Sequence, residues 1–237
     1  MPQKNGSVHK DHRKRVKKRF REEGLDHFDQ VHALELLLFY GIPQGDTNPL
    51  AHQLIDHFGS LAGVLDAQPE ELERIPGVGE HVSTLLALVR GMARYYLVNR
   101  NELVNILTST TDCGRYLLPY FVGRRDETVY LLCLDSKCKV LCCKEVAEGS
   151  VNSVGISVRK IVETALAVNA SSVVLAHNHP SGLALPSSED VLTTRRIAVA
   201  LDAVGIVLAD HIVVAEEDFI SMADSGKYNP DACRLLL

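Results

Sequence analysis

The chain has 237 residues, 46% hydrophobic and 23% charged, the proportions of an ordinary soluble globular protein with room for one large domain or two small ones. No apolar run approaches the roughly 18 residues that a membrane span needs, and the polar, basic start lacks a signal peptide's apolar stretch, so no membrane association and a cytoplasmic location are expected. The net charge of -5 argues against a nucleic-acid binder, yet residues 1 to 21 hold nine Lys or Arg against the single acid Asp11, so that stretch carries +8 and the remainder -13.

In chain order, residues 1–24 read as a basic arm with few apolar residues besides Val8, Val16 and Phe20. Such a stretch either stays solvated, or attracts phosphates in a salt-sensitive way, and a helix from about Asp11 to Glu23 could also pack Val16 and Phe20. From Gly24 to about Val98 apolar residues recur at three and four: Val31, Leu34, Leu38, then Leu50, Leu54, Phe58, then Leu61, Val64, Leu65. That is the spacing of amphipathic helices. Breaks at Gly41-Ile42-Pro43, Asn48-Pro49, Gly59-Ser60, Gln68-Pro69 and Gly77-Val78-Gly79 divide the stretch into about five short ones, giving a small all-helical unit over 25–104. Within it, Leu72-x-x-Ile75-Pro76-Gly77-Val78-Gly79 followed by Val82, Leu85, Leu86 and Val89 resembles a helix-hairpin-helix, a turn that suits a phosphate. DNA contact through Gly77, Val78, Gly79 and the basic arm is the partner expectation, although Glu80 and His81 occupy positions where a base would strengthen it.

After a polar boundary near residues 99–108 the period changes, and 105–237 reads as a layered α/β domain. Thr128–Leu134 and Lys139–Val146 form a hairpin about Asp135-Ser136-Lys137, Val158–Val168 a helix, Ser171–Ala176 a strand, Ser187–Val204 a helix and Ile206–Ala215 a last strand. The six cysteines are too irregular for a disulfide framework and read as buried thiols; on a strand, Cys138 and Cys142 point one way and Cys143 the other, which disfavours a zinc site there.

The chemistry concentrates in SSVVLAHNHPSGLALPSSED, residues 171–190. Strand alternation puts His177 and His179 on one face at the mouth of a loop, and Asp190 supplies a carboxylate as third ligand, leaving a fourth metal position open to water. Ser187-x-x-Asp190 is also a capping box, and the two uses are compatible. Asn178 points away and anchors the strand or loop, while His211 reads as a histidine behind the ligands, and the first replacement should Asp190 not bind metal.

His177-x-His179, seven intervening residues and Ser187-x-x-Asp190 match the JAMM motif of the MPN-fold zinc proteases, and HNHPSG followed by P-S-x-E-D resembles more narrowly the RadC family of DNA repair-associated proteins. The resemblance spans about residues 25–237, with further matches at Leu134-Asp135-Ser136, Glu148-Gly149-Ser150, 158–162 and 210–214. It implies a helix-hairpin-helix unit followed by an MPN/JAMM, cytidine-deaminase-like α/β domain. It further implies Zn2+ on His177, His179 and Asp190, hydrolysis of a peptide or isopeptide bond in an unknown protein or peptide substrate, and Ser187 as donor to the oxyanion. The family's general base corresponds to Glu127, with Glu145 and Glu148 as competitors. A DNA-binding accessory role in repair, with or without nuclease activity, is the alternative.

Overall fold

The structure, a computed structural model, describes residues 5–101, 106–149, 157–180, 182–215 and 218–233. Ser150 and Ser181 of the motifs above, the first cation of the basic stretch at Lys4 and part of the polar boundary, residues 102–105, lie outside them. The chain divides into two compact units, 1–93 and 94–237.

The first unit contains α1 (Asn5–Glu23), α2 (Gln30–Gly41), α3 (Asn48–Phe58), α4 (Leu61–Asp66), α5 (Pro69–Leu72) and the start of α6 (Glu80–Asn101). The division falls inside α6, so the polar Asn99-Arg100-Asn101 stretch is helical. The breaks act as caps. Asp29 accepts from the His32 N–H at 2.8 Å to open α2, Ser60 accepts from the Gly63 N–H to open α4, and Gly59, in the left-handed region at φ 81°, closes α3. The core is Leu34, Leu38, Leu54, Val64, Leu72, Val78, Val82 and Leu86. Val78 is thus a buried plug, carried into place by Gly77 at φ 95°.

The basic stretch is not a separable arm. Among its described side chains, Val16 packs with Leu36 and Phe39, His12 Nε2 lies 3.0 Å from Oε1 of the buried Glu35, and Arg13 donates to the carbonyls of Ile42 at 2.8 Å and Gly45 at 2.9 Å. Arg13 thereby supplies a donor to the carbonyl end of α2, where free N–H groups are lacking. Charge counting overlooked these inward uses, because a cation that caps a neighbouring helix has the same composition as one facing water.

The second unit holds α7 (Thr110–Phe121), β1 (Thr128–Leu134), β2 (Val140–Glu148), α8 (Val158–Ala167), β3 (Ser172–Asn178), α9 (Ser188–Asp202), β4 (Val207–Ala215) and β5 (Asp218–Ser221). The five strands run in the order β2-β1-β3-β4-β5, antiparallel except for the β3/β4 pair, which α9 joins by crossing over. Every residue of β1 is buried, as expected of a central strand covered on both faces. On one face Val129, Leu131, Cys133, Val173 and Leu175 pack against Ile161 and Ala165 of α8 and Ile197 and Leu201 of α9. On the other, Tyr130, Leu132, Val174 and Ala176 pack against Tyr116, Leu117 and Phe121 of α7. Cys142 packs on the first face and Cys143 on the second, so the two diverge, and burial pushes the Cys133 thiol up to about 12, which makes Cys133 a packing residue.

Two features were not read from the sequence. The helix α7, opened by a capping box of Ser109 and Asp112, covers the second face, and β5 extends the sheet. In addition, one extra residue in β4 makes a bulge, so that Val173 pairs with Leu208 but Val174 pairs with Asp210. Since a one-residue slip exchanges the faces of a strand, the bulge brings His211, rather than Asp210, opposite Leu175 and onto the α8/α9 face.

Candidate metal centre

The site is built at the end of β3 and the start of α9. Val173 and Leu175 face α8 and α9, so alternation directs His177 to the same face, and His179 follows just beyond the strand, its N–H bonded to the Val214 carbonyl at 2.8 Å. Asp190 enters from the first turn of α9. Its Oδ2 accepts from the Ser187 N–H and from the Ser187 hydroxyl, both at 2.7 Å, while the Asp190 N–H donates to Ser187 Oγ at 3.1 Å. The capping box fixes the carboxylate in its inward rotamer, so cap and site are one device.

These three side chains converge. His177 Nε2 lies 2.9 Å from His179 Nε2 and 3.3 Å from Asp190 Oδ1, and His179 Nε2 lies 3.5 Å from Asp190 Oδ2. They form the one group among the described residues whose donor atoms could jointly hold a metal ion, all within 4.8 Å of one another. His177 and Asp190 are 1% and 2% exposed and His179 16%, so the cluster is open to solvent on the His179 side.

The hydrogen bonds behind the ligands decide what the cluster offers. His179 Nδ1 faces the Leu183 carbonyl at 3.0 Å, and a carbonyl can only accept, so Nδ1 carries a hydrogen and Nε2 is the nitrogen that can offer a lone pair. A longer chain fixes His177. Thr194 Oγ1 donates to the Asp190 carbonyl at 2.5 Å and lies 2.5 Å from His211 Nδ1, which must therefore donate to it; His211 Nε2 then accepts from His177 Nδ1 at 2.8 Å. This again leaves Nε2 of His177 as a lone pair. Burial holds the His177 imidazole down at about 4, against the partial pull of Asp190, and burial also holds His211 well below its ordinary value, so both rings are neutral near pH 7. Two imidazole lone pairs and a carboxylate thus meet with no hydrogen between them. Three acceptors at these separations repel one another in a buried site, and a cation relieves that repulsion.

The carboxylates considered as base separate by face. Glu127 is half-buried and lies two residues before Val129, on the face of Val129 and His177; continuing the antiparallel register, in which Val129 pairs with His177, sets Glu127 opposite His179. Asn178 brackets it, accepting from the Thr128 N–H at 2.7 Å and donating to the Asp126 carbonyl at 3.2 Å. Glu145 and Glu148 pair with Tyr130 and Thr128, on the opposite face, where Arg124 donates to them at 2.6 and 3.1 Å. Those two are thereby removed from the imidazoles.

His211 has both ring nitrogens engaged and stands behind His177, as its place in the sequence suggested; Thr194, which completes the chain, had no signal in the sequence beyond its helical position. Asp210 accepts from the His211 and Ala223 N–H groups and from Ser221 Oγ, a structural corner between β4 and β5. In the helical unit, the start of α6 carries Glu80, and the Ser83 hydroxyl bonds Glu73 at 2.6 Å, so the Gly77–Gly79 turn opens onto acidic neighbours.

A family model described as a RadC-like JAB domain matches residues 107–227. A UPF0758 protein of Ruegeria pomeroyi is 35% identical over 217 residues, covering 92% of this chain and 97% of the relative. A UPF0758 protein of Rhodobacter capsulatus is 35% identical over 211 residues, 89% of this chain and 99% of the relative, and one of Fusobacterium nucleatum is 32% identical over 224 residues, 91% and 96%.

Proposed function

The chain belongs to the RadC-like JAB domain family, and from that premise we propose that it is a zinc-dependent hydrolase of peptide or isopeptide bonds in a protein or peptide substrate. The observation that carries the proposal is the meeting of the His177 and His179 lone pairs with the Asp190 carboxylate, three acceptors and no donor at a site open on one side. Two imidazoles and one carboxylate suit zinc, with one position left for water.

When bound, zinc supplies Lewis acidity that lowers the pKa of a water from about 15.7 to about 7. The protein's own groups do the rest. His211 and Thr194 keep the His177 lone pair aimed at the site, and the Leu183 carbonyl does so for His179. Glu127 takes a proton at its carboxylate and returns it to the departing amine. Ser187 swings its hydroxyl hydrogen from Asp190 Oδ2 to the oxyanion, and Oδ2 keeps the Ser187 N–H as partner. A donor of this kind contributes about 3 kcal/mol to the transition state. The α5-turn-α6 segment fits a helix-hairpin-helix, supported by the left-handed Gly77 and the buried Val78.

The test is hydrolysis of a peptide library and of isopeptide-linked conjugates by the zinc-loaded chain. Glu127→Gln should keep the metal and lose activity by about 100-fold or more. Equal turnover by wild type, Glu127→Gln and chelator-stripped protein would overturn the assignment.

A further inference from the structure

The helix α1 uses part of its charge internally. Arg13 donates to the carbonyls of Ile42 and Gly45 just past α2, and Arg19 donates to Glu23 at 3.0 Å and to the His27 carbonyl at 2.6 Å. Lys14, Lys17, Lys18 and Arg21 are spent differently. At spacings of three, four and seven they form one stripe, about 10 Å long from Lys14 to Arg21, and the ion pair along it among the described residues is the surface pair of Lys18 and Glu22 at 3.7 Å. Together with Phe20 and Tyr40 they line a groove of about 420 Å3. Both rings are exposed, Phe20 to 41% and Tyr40 to 63%, and the Lys17 ammonium sits 4.7 Å from the centre of the Tyr40 ring.

We propose that this groove binds single-stranded nucleic acid. Four cations on one helical stripe track consecutive phosphates, and two exposed aromatic faces beside them offer stacking surface for unpaired bases, the combination that single-strand binders use. A duplex would engage the cations and leave the rings unused. An anionic membrane would engage them too, but α1 turns Val16 inward onto Leu36 and Phe39 and keeps no continuous apolar face to insert. The charge asymmetry fits: the +8 of residues 1–21 stands against -13 elsewhere, so a polyanion is drawn to this stripe and repelled by the rest. The site is independent of the metal centre and of the hydrolase reading.

The experiment is fluorescence anisotropy of the full chain with a labelled oligothymidylate of about 20 nucleotides, with its duplex, and with vesicles carrying anionic lipid, over a range of salt. Single strands should bind best, with log K falling by about 0.7 per neutralised phosphate against log salt, hence a slope near -3 for four contacts. The combined Lys14→Ser, Lys17→Ser, Lys18→Ser, Arg21→Ser variant should flatten that slope while its circular dichroism stays that of wild type. Tyr40→Ala should keep the slope and weaken single-strand binding about tenfold. Absence of binding at about 50 mM salt, a wild-type slope in the four-cation variant, duplex binding as tight as single-strand binding and indifferent to Tyr40→Ala, or preference for the vesicles would each overturn the proposal.

Discussion

Near the start of β1 the sheet carries a polar cluster on each face, and the two have opposite characters. On the α7 face Arg124 donates to Glu145, Glu148 and the Tyr130 hydroxyl, at 2.6, 3.1 and 2.7 Å, so cation and carboxylates meet their complements, with only Arg124 Nε buried and unbonded. On the α8/α9 face two imidazoles and a carboxylate turn acceptor atoms toward one another: the ring Nδ1 hydrogens are committed behind, to the Leu183 carbonyl and to His211, and the Ser187 hydroxyl donates to Asp190 Oδ2. Both clusters contain acids and donors, so residue type alone does not distinguish them. What distinguishes them is closure: the first pairs its cation with its carboxylates, whereas the second is a group that could hold a cation.

That contrast can be broken most forcefully at Asp190. Asp190→Asn replaces one acceptor by an amide able to donate, and should cut zinc affinity beyond the roughly 10- to 100-fold that loss of an outer partner costs; competition against a chromophoric chelator reads it. An unchanged affinity would mean the acceptor set is incidental.

Acid should act on the same cluster. His177 is held neutral by burial at about 4, below the 6.5 of an unfolded histidine, so the unfolded chain binds its proton first. The metal-free protein should therefore keep this contribution above about pH 6.5 and lose it as pH falls toward about 4. Urea unfolding at a series of pH values checks it, and His177→Gln should flatten that part of the profile.

A smaller effect sharpens the role of the chain behind the ligand. His211→Ala should lower zinc affinity about 10- to 100-fold, and Thr194→Val, which leaves His211 Nδ1 without its acceptor, should act in the same direction. Least of all, Arg124→Ala should leave zinc affinity at the wild-type value and cost about 1 kcal/mol in stability, since its ion pairs are partly exposed. A change in metal affinity there would show that the two faces are coupled.

The local patterns of the sequence were sufficient for much of this. Alternation placed His177 and His179 together, the Ser187-x-x-Asp190 spacing implied a cap and an inward acid, and strand period and turn residues located the β1/β2 hairpin within a residue or two. What escaped depended on pairing between distant segments. The bulge in β4 that selects His211 over Asp210 leaves no periodic trace, and the Thr194 to His211 bond joins a helix to a strand through the crossover. The α7 helix was legible in principle, for Ser109-x-x-Asp112 is a cap and Cys113, Tyr116, Leu117 and Phe121 recur at helical spacing, but Gly114 and Pro119 interrupt the pattern. For α1 the difficulty was different: Arg13 and Lys14 are neighbours of like charge, and only the carbonyls of Ile42 and Gly45 separate their roles.

The most direct test of the central claim is a calorimetric titration of zinc into chelator-stripped protein, on wild type and on the combined His177→Ala, His179→Ala variant. One zinc bound per chain by wild type, with release of heat absent in the variant, is the predicted result. A wild type that takes up no zinc, or a variant that takes it up equally well, would contradict the account.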